Sequence, residues 1–435
     1  MEKEEKQEKR PSQQQPSKKA PPKTKSVPKK TAKKKVSGKK STQEQIFSVL
    51  KTLCIVSVIL ALLVIAAERF GDVTFSSVGD YFNTMISGAK SGDGYPYHFE
   101  NMNVKKVQQV EKDLFVLTDN DTIVLDNTAR ILGQEQHSLS APIAVTAGGR
   151  TLLVDVGEQN YRVLSRTKLL YESTFPQKLL NGAISKNGSI VLSSRGDASQ
   201  TKLTVINKQQ KEVFAWNCAA ENILAVAISD NGRKVAASVV GAKSGELYSK
   251  VYLFDISKSN PMMSVEYDGV ISGLSFLSGN RLLVTGEKVF ELYDGDKKIF
   301  SEDLSVNTFS KLYLNGKKTT FAVFAKYGSA STQILKAYDK KGNLRFTTEL
   351  NENVKGVSTD SLTYSVLTDN FLYTYDKEGI LMGQMPVEAG CIAPFTDGKY
   401  TYIWTVSGIE RYKNTIHIEG DGALENEKPE TPSTS

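Results

Sequence analysis

Short apolar runs separated by polar turns recur from residue 95 to residue 416. Within these runs large and small side chains alternate, as in YTYIWT at residues 400–405. A period of two is typical of a β-strand, and apolar residues in both phases indicate that both faces of the strand are covered. The pattern therefore predicts an all-β body of short strands whose sheets pack against one another.

One type of turn between two apolar strands recurs eight times along this body. It is found at Glu111–Lys112, Gly148–Gly149, Asn187–Gly188, Asn231–Gly232, Gly279–Asn280, Asn315–Gly316, Asp360–Ser361 and Asp397–Gly398. Many of these dipeptides tolerate a positive φ, which a tight hairpin requires. Successive turns are separated by 36–48 residues, a spacing that indicates a structural repeat.

A second marker, a β-rich strand that ends in a polar residue, also occurs eight times. These strands end at Asp126, Ser165, Asn207, Asp255, Asp294, Asp339, Asp376 and Lys413. A further strand follows many of them, as in KEVFAW at residues 211–216. Four strands per repeat define a β-propeller blade, whose apolar faces are buried only when blades stack in a ring. We therefore predict an all-β, eight-bladed β-propeller over residues 95–416.

Closure of the ring requires that the last blade be completed from the start of the domain. The eighth repeat contains only three strands, in CIAPF, YTYIWTV and IERYK, and the isolated strand YPYHF at Tyr95–Phe99 can supply the fourth. The first repeat has the poorest turn, at Glu111–Lys112. If that repeat is irregular, the alternative is a seven-bladed propeller.

Three repeats contain extra residues between their second and third strands. The insertions are Arg195–Lys202, Val239–Lys250 and Lys326–Gln333. In a propeller this connection always emerges on the same face, and tyrosines within Ser/Gly-rich loops are favoured at recognition surfaces. The alternative is that these loops merely tolerate insertions. The predicted partner-binding face comprises Arg195, Asp197, Lys243, Glu246, Tyr248, Lys326 and Tyr327, with the two tyrosines as anchors.

Charge is unevenly distributed along the chain of 435 residues. The formal net charge is +7, but residues 1–45 contain 15 Lys/Arg and 5 Glu, so the remaining residues carry −3. This basic tail has almost no large apolar side chain, which predicts disorder. Because it lacks aromatic residues that stack on bases, we expect it to contact anionic lipid headgroups and no specific nucleic acid.

An apolar segment follows the tail. Ile46–Ala67 contains 22 residues with Lys51 as the single charge, enough for a helix of about 33 Å. We predict a transmembrane helix, and the positive-inside rule places the tail in the cytoplasm and the propeller outside. A cleaved signal peptide is the alternative, although the basic and apolar regions are long for one. Residues 68–94 predict a juxtamembrane helix and linker, and residues 417–435 a flexible tail.

Few residues in the chain carry reactive chemistry. The three cysteines are widely spaced and the three histidines are isolated, so we predict neither a disulfide framework nor a metal site. Cys218 and Cys391 are expected to be buried free thiols. The chain contains no nucleophile elbow and no phosphate-binding glycine loop. We therefore predict no catalytic residue, no cofactor and no metal.

Two segments resemble known propeller repeats. AVAISDNGRKVAASVV at residues 225–240, followed by VYLFDIS, resembles repeats of the YVTN/WD40 type. AYDKKGNLRFTTEL at residues 337–350 resembles repeats of outer-membrane-assembly and quinoprotein-like propellers. Quinoproteins dock their cofactor with a tryptophan motif in nearly every blade, whereas this chain has only Trp216 and Trp404.

The whole layout is similar to a family of membrane-anchored β-propeller proteins of Gram-positive bacteria to which no activity is assigned. For this chain we expect a monomeric, single-pass cell-membrane protein without catalysis. Its outer propeller is expected to serve as an interaction, assembly or sensing module for an extracytoplasmic protein partner. The alternative is an extracytoplasmic ligand-binding or enzymatic propeller with a site in the central channel.

Overall fold

The computed structural model describes residues 92–278, 280–315, 319–329, 331–360 and 363–414, together with Lys51 and Ser57, which are helical and exposed. The predicted tail (1–45), the rest of the predicted membrane span (46–67), the predicted juxtamembrane helix and residues 417–435 lie outside the described residues. Among the residues that are described, no helix has both the length and the apolar composition needed to cross a bilayer.

Thirty-two β-strands are present in the described part of the chain, and we number the blades that they form in chain order. Blade 1 contains β2 (Val104–Val110), β3 (Asp113–Thr118), β4 (Asp121–Leu125) and β5 (Ile131–Gln136). Blade 2 contains β6 (Pro142–Ala147), β7 (Arg150–Asp155), β8 (Asn160–Ser165) and β9 (Leu169–Thr174). Blade 3 contains β10 (Leu179–Ile184), β11 (Ile190–Arg195), β12 (Thr201–Ile206) and β13 (Glu212–Cys218). Blade 4 contains β14 (Asn222–Ile228), β15 (Lys234–Lys243), β16 (Glu246–Asp255) and β17 (Met263–Asp268).

The second half of the ring follows the same plan. Blade 5 contains β18 (Ile271–Leu277), β19 (Arg281–Gly286), β20 (Val289–Asp294) and β21 (Lys297–Ser301). Blade 6 contains β22 (Thr308–Asn315), β23 (Thr319–Ala325), β24 (Gln333–Asp339) and β25 (Leu344–Leu350). Blade 7 contains β26 (Gly356–Thr359), β27 (Thr363–Leu367), β28 (Phe371–Asp376) and β29 (Leu381–Pro386). Blade 8 contains β30 (Cys391–Thr396), β31 (Tyr400–Thr405), β32 (Gly408–Lys413) and β1 (Tyr97–His98).

Each of the eight sheets is four-stranded and antiparallel in the described residues; seven are meanders of consecutive strands, and the eighth is completed by β1. All eight predicted turns join the first strand of a blade to its second, and the φ of Gly188 (89°), Gly232 (70°) and Gly398 (96°) shows why glycine is needed there. The polar residues of the second marker lie at the ends of the third strands or one residue beyond them. The eight-bladed propeller is confirmed, and the seven-bladed alternative is wrong.

Strand β1 closes the ring as the outermost strand of blade 8, antiparallel to β32. The ladder has two residue pairs, Tyr97 with Ile409 and His98 with Gly408. Beyond this ladder, the Phe99 N–H donates to the Ser407 carbonyl at 2.9 Å, and the ring centroids of Tyr95 and Tyr402 lie 5.0 Å apart. The predicted closing strand is confirmed, and aromatic packing holds the residues that flank its short ladder.

Buried apolar side chains form eight clusters in the described residues, and each cluster lies between two adjacent blades. Between blades 8 and 1, for example, Tyr402 and Ile409 pack with Val107 and Leu114. Every blade therefore shares one core with each neighbour, so the stability of each blade depends on both neighbours.

Cysteines 218 and 391 occupy two of these interfaces. Cys218 is buried between blades 3 and 4, and Cys391 between blades 7 and 8. Both are free thiols, as predicted, and burial raises the pKa of each thiol. A small apolar side chain that packs in a core accounts for both residues.

The first strands, which lie innermost in a propeller, are not all regular. In blades 1, 3, 4, 5, 6 and 8 the ladder between the first and second strands contains a bulge near the start of the first strand. The residues skipped in these ladders are Lys105, Leu180, Leu224, Ser272, Ser310 and Ile392. A bulge bends its strand and redirects one side chain. Six of the eight blades therefore have one redirected side chain near the start of the first strand.

Candidate interaction surface

The connections between strands divide the propeller into two faces. In an antiparallel meander, successive connections emerge at opposite ends of the sheet. We call the face with the turns between first and second and between third and fourth strands the turn face. The loops between second and third strands and the connectors between blades make up the opposite face, which we call the loop face.

The three insertions lie on the loop face, but they differ in structure. In blade 3 the loop is residues 196–200, and in blade 6 it is residues 326–332. In blade 4 the insertion is not a loop, because β15 and β16 continue as a regular ladder to the pair Lys243–Glu246. Ser244 (φ 54°) and Gly245 (φ 87°) form a two-residue turn at its end. Two positive φ values match the twist of a hairpin, so this insertion is a projecting β-hairpin.

The charged residues of the predicted face lie at strand ends and loop tips. Arg195 ends β11 and is exposed, and Asp197 accepts two hydrogen bonds of 3.0 Å from the Gln177 amide. Lys243 and Glu246 face each other at the tip of the hairpin, and both are exposed. Lys326 Nζ lies 2.6 Å from the Glu349 carboxylate, and both side chains are exposed enough for the pair to be screened by solvent.

Tyr248 is held against the hairpin and is not freely exposed. Its hydroxyl donates to Glu221 Oε1 at 3.1 Å, and Lys250 Nζ lies 5.0 Å from its ring centroid. The ring lies over Gly241, where an added Cβ would come within 2.7 Å of the ring atoms. The hydrogen bond to Glu221 raises the pKa of the Tyr248 hydroxyl. These contacts indicate that Tyr248 positions the hairpin relative to the preceding connector.

Tyr327 is the opposite case, because 80% of its surface is exposed. Its backbone N–H donates to Asn307 Oδ1 at 3.2 Å, which ties the blade 6 loop to the connector between blades 5 and 6. The preceding residue of that connector, Val306, is 61% exposed. Two large apolar side chains therefore project into solvent from adjoining segments.

A similar pair lies beside the blade 4 hairpin. Leu247, near its tip, is 54% exposed, and Val270, in the connector between blades 4 and 5, is also exposed. The Gly269 N–H donates to the Leu247 carbonyl at 3.0 Å, which holds the two segments together. Sequence reasoning missed three members of this set. For Val270 and Val306 the signal that was available is an apolar residue in a connector, where polar residues are usual. We define the apolar arc as Leu247, Val270, Val306 and Tyr327, which extends over blades 4 to 6 of the loop face.

The loop face is acidic. Its described loops and connectors contain eleven acidic residues, Glu100, Asp119, Glu158, Asp197, Glu221, Glu287, Glu302, Asp303, Glu352, Asp369 and Glu388, and four basic ones, Lys178, Lys288, Lys326 and Lys355. The formal net charge of these segments is therefore −7. A partner that covers the apolar arc would meet a negative potential around it.

Four polar side chains of the first strands donate hydrogen bonds to carbonyl groups at the adjacent blade. Lys106 and Gln108 donate to the Ala144 carbonyl at 3.3 and 3.0 Å, Asn181 donates to the Leu224 carbonyl at 3.2 Å, and Lys311 donates to the Val354 carbonyl at 2.7 Å. Burial lowers the pKa of Lys106 and of Lys311. Among the residues described, no three His, Cys, Asp or Glu side chains are grouped so as to hold a metal ion.

The fold and its faces define an eight-bladed β-propeller whose loop face carries the apolar arc and a net negative formal charge. The model of a family of unknown function, DUF5711, matches residues 96–416, and the chain belongs to that family. No curated protein matches the chain.

Solved structures of other propellers are similar to this chain. The C-terminal WD40 domain of Sif2 has a TM-score of 0.51 and 12% identity, with 72% of this chain and 99% of that chain covered. A eukaryotic initiation factor has a TM-score of 0.51 and 13% identity, with 75% and 88% covered. BamB from Moraxella catarrhalis has a TM-score of 0.45 and 9% identity, with 70% and 95% covered. At these identities the first two comparisons show a common fold and nothing further about activity.

Proposed function

We propose that this protein is a membrane-tethered, extracytoplasmic propeller that binds a protein partner through its loop face. The observation that carries the proposal is the apolar arc. Its four side chains are exposed on neighbouring blades of one face, whereas apolar residues on a monomer surface are usually scattered singly. An apolar centre with a charged border is the usual composition of a protein–protein interface.

The tether is proposed from the sequence. Ile46–Ala67 is long and apolar enough for a membrane span, and 15 Lys/Arg precede it. That asymmetry favours a cytoplasmic tail and an outer propeller. Protease added to intact, wall-stripped cells should remove the propeller and leave an anchored basic fragment. Removal of the tail alone would contradict this orientation.

Binding, not catalysis, is the proposed role. Lys106, Asn181 and Lys311 of the first strands donate hydrogen bonds to carbonyl groups at the adjacent blade, which favours a structural role for these three side chains. Burial of Lys106 and Lys311 lowers the pKa of each amine, but hydrogen bonds to fixed carbonyls leave these amines little freedom to serve as bases. We therefore propose that the protein acts through its loop face and not through a site in the central channel, and we expect the propeller to act as a monomer.

Proximity labelling from the propeller in its native cell should identify the partner, and variants of the arc should then test the surface. Val306→Ser combined with Tyr327→Ser removes two projecting apolar side chains without touching a buried core. The matched control is Val406→Ser, because Val406 is 75% exposed on the same face but lies in blade 8. Recovery of the partner should be lost in the double variant and retained in the control. Equal recovery from both would contradict the proposal, and so would equal loss.

A further inference from the structure

The turn face carries the opposite charge to the loop face. Its described turns contain thirteen basic residues, Lys112, Arg130, Arg166, Lys168, Lys186, Lys208, Lys211, Arg233, Lys258, Lys340, Lys341, Lys377 and Lys399, and seven acidic ones, Glu111, Asp126, Asp230, Asp296, Asp360, Glu378 and Asp397. The formal net charge of these turns is +6, against −7 for the loops and connectors of the other face. The propeller is therefore a disc with oppositely charged faces.

Much of this positive charge is available to a ligand. Nine of the basic residues are exposed and form no ion pair with the described residues: Lys112, Lys168, Lys208, Lys211, Arg233, Lys258, Lys340, Lys341 and Lys399. They are distributed over blades 1, 2, 3, 4, 6 and 8. Flexible cations spread over six of the eight blades of one face fit an extended anionic surface better than a single small anion, which requires convergent donors.

Both ends of the propeller chain emerge on this same face. At the start, the N–H groups of Gly92 and Gly94 donate to Thr128, in the turn between β4 and β5, at 3.0 and 3.1 Å. At the end, the Asn414 N–H donates to the Lys399 carbonyl, in the turn between β30 and β31, at 3.0 Å. The segment that leads to the predicted membrane span therefore enters the propeller at its basic face.

We propose that the turn face docks onto the surface of an anionic lipid bilayer. Basic residues near an anionic membrane are attracted to it, the tether enters on the basic side, and the acidic loop face is repelled. The three effects orient the disc in the same way, with the apolar arc directed away from the bilayer. This inference rests on the proposed membrane tether, and it adds the lipid class and the orientation of the propeller.

The test measures how close each face lies to lipid headgroups. The full chain, with Cys54 replaced by serine, is reconstituted into vesicles of neutral phosphatidylcholine or of phosphatidylcholine with roughly 30% phosphatidylglycerol. A donor dye is attached through Ser259→Cys on the turn face or through Ala198→Cys on the loop face, both at exposed positions. Cys218 and Cys391 are buried and stay in place. Energy transfer to acceptor-labelled headgroups is then recorded.

Transfer from the turn-face dye should rise about two-fold when phosphatidylglycerol is present, and about 0.5 M salt should abolish the rise because it shortens the screening length. Transfer from the loop-face dye should stay low throughout. Lys340→Glu with Lys341→Glu should remove the rise. The matched control, Lys243→Glu with Lys288→Glu, reverses two exposed lysines on the loop face and should keep it.

Three results would overturn the inference: transfer from the turn-face dye that ignores lipid charge and salt, equal transfer from both dyes, or equal effects of the two double variants. The salt and lipid arms use the chain with unaltered lysines, so a folding defect in a lysine variant cannot produce the first two results. Failure of the proposed partner surface would appear instead as equal recovery of the partner from the Val306 and Tyr327 double variant and from the Val406 control, or as equal loss from both. These variants leave Lys340 and Lys341 unaltered.

Discussion

Closure of the ring by β1 makes a quantitative prediction about stability. Phe99 is buried at the end of this strand, in the cluster that joins blade 8 to blade 1. Phe99→Ala leaves the backbone of β1 in place and removes only the ring from this interface. A chain that begins at Asn101 removes the same ring together with the β1 ladder and Tyr95, which packs on Tyr402.

The expected losses follow from the contacts that are removed. Replacement of a buried phenylalanine by alanine costs about 3–5 kcal/mol. For a propeller of about 320 residues, the entropy of unfolding is roughly 0.7 kcal/mol/K, so this loss corresponds to a fall in Tm of about 4–7 °C. Loss of Tyr95 and the ladder hydrogen bonds adds several kcal/mol more. It also exposes the edge of β32, so we expect the shorter chain to melt at least about 10 °C lower or to aggregate.

Calorimetry on residues 92–435, expressed without the tail and the predicted span, measures these differences directly. Val406→Ser is the control, because Val406 lies in the loop between β31 and β32 of the same blade but is exposed; its effect should stay within about 0.5 kcal/mol. The reasoning would be refuted by a chain starting at Asn101 that melts like the longer one, or by Phe99→Ala behaving like the control.

Three further predictions concern single side chains. Cys218 and Cys391 should react with a thiol reagent only as fast as the propeller opens, because both are buried with a raised pKa; rapid labelling of the native protein would contradict this. Burial raises the pKa of Asp113 to about 6, above its value in an unfolded chain. The free energy of unfolding should therefore fall as the pH rises from about 4 to about 6, and Asp113→Asn should flatten this dependence in urea titrations. Tyr248→Ala should lower the free energy of unfolding by about 1–2 kcal/mol, since its hydroxyl and ring hold the hairpin. Tyr327→Ala should change this free energy by less than about 0.5 kcal/mol. Equal effects of the two substitutions in urea titrations would show that the two tyrosines do not differ as described.

The fold was predictable from the sequence because its determinants are local. A hairpin turn needs residues that accept a positive φ, and such residues mark all but the poorest of the eight first turns; Gly188 and Gly232 are examples. The closing strand was predictable because a blade with three strands leaves an edge that must be paired, and Tyr95–Phe99 was the one strand outside the repeat.

The interaction surface was less predictable because its determinants are not local. The blade 4 insertion contains Gly241, Ser244 and Gly245, which read as a loop, yet only Ser244 and Gly245 form the turn, and Gly241 lies in a strand under the Tyr248 ring. Val306 has the same apolar character as a strand residue, and its exposure follows only from its place in a connector. The bulges depend on the pairing partner of each first strand, which no single segment specifies.

Segregation of charge between the turn face and the loop face is the property that is hardest to predict from the sequence. Connections alternate between the two faces along each meander, so any window of one repeat averages positive turns with negative loops, and the sum over both faces is close to zero. Only the topology of the strands assigns the turns and the loops to separate faces, with formal net charges of +6 and −7. Both ends of the propeller chain emerge on the positive face, so the proposed tether and the charge of this face favour the same orientation. The reverse orientation would bring the acidic loops to an anionic surface and bury the apolar arc against it. In the proposed orientation the arc faces away from the bilayer, where the proposed extracytoplasmic partner can reach it.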